Sequence, residues 1–245
     1  MKNVALPNGP VDWDRIRLVV FDLDGTLYDQ RRLRMAMLFR LAREAVASRS
    51  FGAARVLRAF RQCRERLGEA QTQDFETQQY ALTASRTGRS AEAVEAVVRE
   101  WIETRPLDVL LPCRYPNVER VFDGLAARGK TLAVLSDYPA FEKLRALGLA
   151  ADIVVWAGDP GVGVLKPHPA GLQRVLERAR VPASAAIMIG DRVDRDWAVA
   201  HAHGMRALIR SRKPITGIDT FRDYRDEVFF KVTGHANAAR ENVPH

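Results

Sequence analysis

Two aspartates two residues apart, Asp22 and Asp24, follow the largely apolar run 16–20 and lead straight into Gly25-Thr26. Carboxylates at the end of a buried strand are costly unless a cation or hydrogen-bond donors compensate them. Three further polar clusters follow hydrophobic or glycine-rich stretches. Ser136-Asp137 ends one apolar run, Lys166 closes the loop Gly161–Lys166 just before Pro167, and Gly190-Asp191 with Asp194 and Asp196 follows another. Converging carboxylates raise one another's pKa until a cation joins them. An oxygen-only donor set, without a His or Cys cluster, favours a hard ion such as Mg²⁺. A lysine, a hydroxyl and the amide ends of helices suit an anion beside it. A metal with carboxylates on one side and phosphate-binding donors on the other describes phosphoryl transfer.

These clusters meet only if a fold brings distant strand ends to one edge. Strand-like runs at 16–22, 131–135, 153–156, 185–189 and 207–209 alternate with helical patterns at 118–125, 141–147, 169–179 and about 196–203. Such alternation predicts a parallel sheet covered on both faces, with ligands beyond the carboxyl ends of its strands. From 29 to 110 the periodicity is helical throughout. Val56, Phe60, Cys63 and Leu67 share a stripe, as do Val94, Val97, Val98 and Trp101 behind a candidate N-cap at Ser90. The expected architecture is therefore α/β. A Rossmann-like parallel sheet core with helices on both faces comprises residues 1–28 and 111–245. An all-helical cap of about four helices, residues 29–110, is inserted in it. The tail from Lys213 carries Phe221, Tyr224, Phe229 and Phe230, an apolar set able to dock on the core.

Over roughly residues 15–210 these motifs resemble the haloacid dehalogenase-like (HAD) hydrolase superfamily, in the subgroup whose helical cap follows the first motif. Asp22-Leu23-Asp24-Gly25-Thr26 is similar to its first motif, Leu135-Ser136-Asp137 to the second, Lys166-Pro167 to the third, and Gly190–Asp196 to the fourth. The resemblance implies that Asp22 is the nucleophile, forming an aspartyl-phosphate that water hydrolyses. A free aspartate titrates near pH 4, so Asp22 is expected to be ionised at neutral pH. Asp24 is implied as general acid and then base, with its backbone carbonyl on the metal. Ser136, Asp137 and Lys166 are implied to hold the substrate. Asp191 is implied as a Mg²⁺ ligand with Asp22 and Asp24, and Asp196 as support for the metal shell. The superfamily's dehalogenases and phosphonate hydrolases lack the second acid, so Asp24 points to a phosphate ester. Thr26 is divided between turn capping and hydroxyl contact. Asp194 reads as a helix-start acid, and His168, His201, His203 and Trp197 read as structural.

The chain has 245 residues, 47% apolar and 28% charged, with a formal charge of +8. That suits an ordinary globular enzyme with ample core. The excess concentrates in arginines between 31 and 66 that are spread around helical faces. They read as solvated surface whose field draws small phosphorylated anions. No nucleic-acid motif accompanies them, and neither a nucleic-acid nor a membrane partner is expected. Two cysteines fit a reducing compartment, and Met1–Arg15 lacks an apolar signal core, so the expected location is cytoplasmic. The function expected is a Mg²⁺-dependent phosphatase of a small phosphorylated metabolite. The competing readings are a phosphomutase of the same superfamily and a catalytically retired basic scaffold.

Overall fold

The computed structural model describes residues 9–234. Six parallel strands, β1 (Leu18–Phe21), β2 (Thr131–Ser136), β3 (Ile153–Trp156), β4 (Ala186–Gly190), β5 (Arg206–Arg210) and β6 (Thr220–Phe221), form one sheet. Their order is β3-β2-β1-β4-β5-β6. The insert after β1 carries α1 (Gln30–Ser48), α2 (Gly52–Glu69), α3 (Phe75–Thr87) and α4 (Ala91–Val98). After β1 and the insert come α5 (Val118–Ala126), α6 (Phe141–Ala146), α7 (Ala170–Ala179), α8 (Ala198–Ala202) and α9 (Phe230–Thr233).

The central strand β1 is buried on both faces, which is why its four residues are all apolar. Val19 and Phe21 pack into the cluster holding α5, where Phe21 stacks on Phe122 at 4.5 Å. Leu18 and Val20 face α7 and α8 through Leu172, Val175 and Val199. Each such side chain contributes about 1.5–3 kcal/mol on burial. This burial fixes the register, and with it the placement of whatever follows the strand.

In the insert, the α2 stripe Val56, Phe60, Cys63 and Leu67 is buried, and Ser90 caps α4 by accepting the Ala93 amide at 3.2 Å. Helix α4 continues into a π-helical turn, Arg99–Thr104, that buries Trp101. The segments leaving and re-entering the core run side by side: the Asp29 amide donates to the Cys113 carbonyl at 2.8 Å and the Tyr115 amide to the Leu27 carbonyl at 3.1 Å. Cys63 and Cys113 are free and buried.

Phe141 opens α6 and is exposed, because the helix turns Lys143 and Leu144 inward. One sequence expectation shifts. The helix expected at about 196–203 begins as a π-helical turn, Val193–Trp197, before α8. The tail does dock. Strand β6 extends the sheet, and Phe221, Tyr224 and Phe229 pack on one another with ring centroids 5.1–5.2 Å apart. Its stretch beyond 234 lies outside the described residues. Among the described residues, no helix is long and apolar enough to cross a membrane.

Candidate active site

Pairing aligns Phe21 with Val134 on one side and Ile189 on the other, and the Asp22 amide donates to the Ile189 carbonyl at 2.8 Å. The residues just past β1, β2 and β4 therefore share one rim, as the parallel sheet required. The chain turns sharply there at Gly25, whose φ is +99°. A Cβ on Gly25 would lie 2.3 Å from Asp191 Oδ2. Glycine is thus demanded twice, by the backbone conformation and by the approach of the acid.

Asp22 is held from both sides. Thr26 Oγ1 donates to its Oδ2 at 2.8 Å, and Lys166 Nζ donates to its Oδ1 at 2.6 Å. Thr26 therefore makes a hydroxyl contact with the candidate nucleophile. Lys166 Nζ also reaches Asp196 Oδ1 at 2.6 Å and the Leu135 carbonyl at 3.2 Å. The other Asp196 oxygen accepts the amides of Asp191 and Arg192, each at 3.1 Å. Asp196 consequently shapes the loop that carries Asp191, and the π-helical turn is the backbone path that lets it do so.

Carboxylate oxygens of Asp22, Asp191 and Asp196 lie within 4.8 Å of one another. Asp191 Oδ1 is buried with no hydrogen-bond partner. An all-oxygen set containing one unsatisfied anionic atom fits a hard divalent cation. The electrostatics agree. Burial, then the neighbouring Asp196, push Asp191 up to about 6. Burial also pushes Asp22 well above the usual carboxylate range, opposed by Lys166 and reinforced by Asp196 and Asp191. The expectation of a self-sufficiently ionised Asp22 is corrected: in this setting its charge depends on cations beside it. Burial works against the Lys166 charge, but Asp196, Asp22 and Asp137 outweigh it and hold the ammonium form.

Asp24 has its own partners. Lys143 Nζ donates to its Oδ1 at 2.7 Å, and the Tyr28 hydroxyl donates to the same oxygen. Burial alone would raise Asp24, yet Lys143 and Tyr28 together hold it below the usual range. Sequence reasoning missed Lys143. It is an ordinary basic residue in a short helix, and only the placement of α6 beside Asp24 reveals it.

The remaining predicted residues are placed less directly. Ser136 is buried, and its Oγ accepts the Tyr138 amide at 3.1 Å, which leaves the hydroxyl proton able to donate. Asp137 Oδ1 accepts the Lys166 amide at 3.0 Å, and its Oδ2 lies 3.8 Å from Arg195. Its carboxylate thus ties the second motif to the third. Asp194 is exposed and paired with Arg192 at 2.6 Å. His201 stacks on Trp197 at 4.5 Å, His203 Nδ1 lies 2.9 Å from the Val199 carbonyl, and His168 Nδ1 accepts the Ala170 amide.

The insert forms the facing wall. Arg34, Arg61, Arg64, Glu65 and Trp101 line a cleft of about 180 Å³ together with Asp22, Asp24, Lys143, Lys166 and Asp191. Arg64 corrects the reading of the arginines as solvated surface. It is 7% exposed, sits 3.8 Å over the Tyr138 ring, and donates to the Asp137 carbonyl. Glu65 pairs with Arg195 at 3.1 Å and Arg192 at 3.4 Å, joining α2 to the loop that carries Asp191.

Comparison with known proteins accords with this geometry. A family model described as haloacid dehalogenase-like hydrolase matches residues 16–204. A phosphoglycolate phosphatase of Rhodospirillum rubrum is 33% identical over 119 residues, 46% of this chain and 49% of that protein. The chain thus spans about half the length of that curated relative. Among solved structures, a 2-haloacid dehalogenase from Pseudomonas syringae superposes with a TM-score of 0.60 at 26% identity, covering 85% of this chain and 94% of that one. A HAD-hydrolase from Bacillus subtilis, solved bound to magnesium, reaches 0.64 at 17% identity, covering 90% and 99%. With the matched model spanning most of the sequence and all four motif regions converging on one rim, the chain belongs to the haloacid dehalogenase-like hydrolase family.

Proposed function

We propose that the chain is a Mg²⁺-dependent phosphatase of a small phosphate monoester, acting through an aspartyl-phosphate. The observation that carries this reading is the pair of separately tethered acids on one rim, Asp22 on Lys166 and Thr26, and Asp24 on Lys143 and Tyr28. An Asp22 oxygen attacks phosphorus, the P–O bond to the leaving group breaks, and Asp24 delivers a proton to the departing oxygen. Water then attacks the phosphorus of the acyl phosphate and gives its proton to Asp24, which restores Asp22 and releases phosphate. Lys143 and Tyr28 keep Asp24 a carboxylate at rest, the form the second step needs. The first step needs the acid form, so Asp24 takes up a proton from solvent in place of the Lys143 contact before attack, and it returns one to solvent after the second step.

Lys166 and the Ser136 hydroxyl are suited to the phosphoryl oxygens. Asp22, Asp191 and the Asp24 carbonyl are the groups to hold Mg²⁺, with Asp196 supporting the shell; the ion would offset the repulsion between phosphate and carboxylates. The insert, read as a cap bounded near residues 29 and 110, would exclude water when closed over the cleft. The buried free thiols suit a cytoplasmic setting.

The 26% identity to a 2-haloacid dehalogenase favours a second reading, halide displacement by Asp22. A proton-transfer acid at Asp24 has no use in that reaction, because a halide leaves without a proton. Purified protein with Mg²⁺ is tested for phosphate release from a panel of phosphorylated metabolites and for chloride release from 2-chloropropionate. Phosphate release that disappears in Asp22→Asn, with unchanged circular dichroism, supports the proposal. Chloride release without phosphate release overturns it. Phosphoryl exchange between sugar phosphates with little free phosphate identifies the mutase instead.

A further inference from the structure

We propose that Arg34, Arg61 and Arg64 form a second anion subsite on the insert side of the cleft, so that the preferred substrate carries another negative group besides its phosphoryl. The inference rests on the phosphoryl-transfer reading of the opposite wall. Arg64 is buried, and two of its contacts are accounted for by the Tyr138 ring and the Asp137 carbonyl. Its Nε, however, is buried without any hydrogen-bond partner. A buried guanidinium with an orphaned donor is costly, and that cost falls when an acceptor arrives.

Arg34 and Arg61 reinforce the point. Both line the cleft, and among the described residues neither forms an ion pair with a carboxylate. Burial lowers the Arg61 guanidinium, and the positive charge of Arg34 adds to the effect. Like charges held together beside a cavity are expected where an anion binds between them. Four acids of the cleft have cationic partners other than Arg34, Arg61 and Arg64: Asp22 and Asp196 pair with Lys166, Asp24 with Lys143, and Glu65 with Arg192 and Arg195. The planar fork of arginine matches a carboxylate or a phosphate. A cleft of about 180 Å³ suits a short phosphorylated acid or diol bisphosphate.

The test compares 2-phosphoglycolate, ethylene glycol bisphosphate and 2-hydroxyethyl phosphate, an isostere of the first with a neutral hydroxymethyl in place of the carboxylate, using wild-type protein, Arg61→Met, Arg61→Lys and Arg34→Met. We expect kcat/KM at least tenfold higher on a charged ester than on the isostere. That ratio should collapse towards one in Arg61→Met and Arg34→Met, mainly through KM, with partial recovery in Arg61→Lys. Preference between the two charged esters tells carboxylate from phosphate. A wild-type ratio near one, or a ratio unmoved by either Met variant, overturns the subsite. Phosphate release from none of the esters would count against the phosphatase reading alone. Calorimetric binding of 2-phosphoglycolate then decides the subsite: at least tenfold weaker binding in Arg61→Met supports it, and no binding or equal binding overturns it.

Discussion

Lys143 Nζ lies 2.7 Å from Asp24 Oδ1, so the second acid of the first motif is anchored by a helix that follows β2. The pair is almost fully withdrawn from solvent, with side-chain exposures of 8% and 14%. Lys143→Met should therefore lower kcat by about tenfold to a hundredfold, part of the 10²–10⁴ that general acid–base help supplies, while KM changes little. Lys143→Arg should recover part of the loss. Removing one partner of a buried pair also destabilises, so Lys143→Met should unfold earlier on heating than the double variant Asp24→Asn/Lys143→Met. Equal melting temperatures for the two would argue against the coupling.

Asp191 gives a pH dependence of defined sign. Its folded value of about 6 exceeds the usual value for an aspartate, so between about pH 4 and 6 the folded chain holds a proton that the unfolded chain has released. Without metal, the stability that Asp191 contributes is present at low pH and lost as pH rises through 6. In chelator at pH 8, Asp191→Asn should be more stable than wild type by about 1–2 kcal/mol, or several degrees of Tm. Below pH 4 the difference should vanish. Thermal melts across this range check both halves of the claim.

Chelator should silence turnover, and Mg²⁺ should restore it. The same addition at pH 8 should raise the melting temperature of wild type but not of Asp191→Asn, because binding only to the folded form stabilises it. Full activity in excess chelator would contradict the assignment of the acidic cluster.

Glu65→Ala should weaken the tie between α2 and the Asp191 loop without touching a motif residue. Its partner Arg195 has a side chain only 5% exposed, so the lost contact leaves a buried guanidinium short of an acceptor. We expect weaker Mg²⁺ affinity, by about threefold to tenfold, and a modest fall in stability of about 1–2 kcal/mol. Titration of Mg²⁺ against activity and against melting temperature measures the two effects separately.

The core was legible because burial on two faces writes itself into β1, β2 and β4 as unbroken apolar runs, and the acids stand where those runs stop. Ser90 could be read as a cap for the same local reason. Other features depend on which surfaces meet. Lys143 and Arg64 look like solvated charges until α6 and α2 are packed against the rim. The π-helical start at Val193 follows from Asp196 collecting two amides of its own loop, a demand absent from hydrophobic spacing.

Arg195 also meets Gly68 of α2, where a Cβ would fall 2.4 Å from its Nη1. A methyl group at that position would push the Arg195 guanidinium off its buried seat, and with it the hold on the Lys166 carbonyl. Any replacement for α2 in this chain would need that bare position, together with an acid three residues earlier, to leave the loop that carries Asp191 in place.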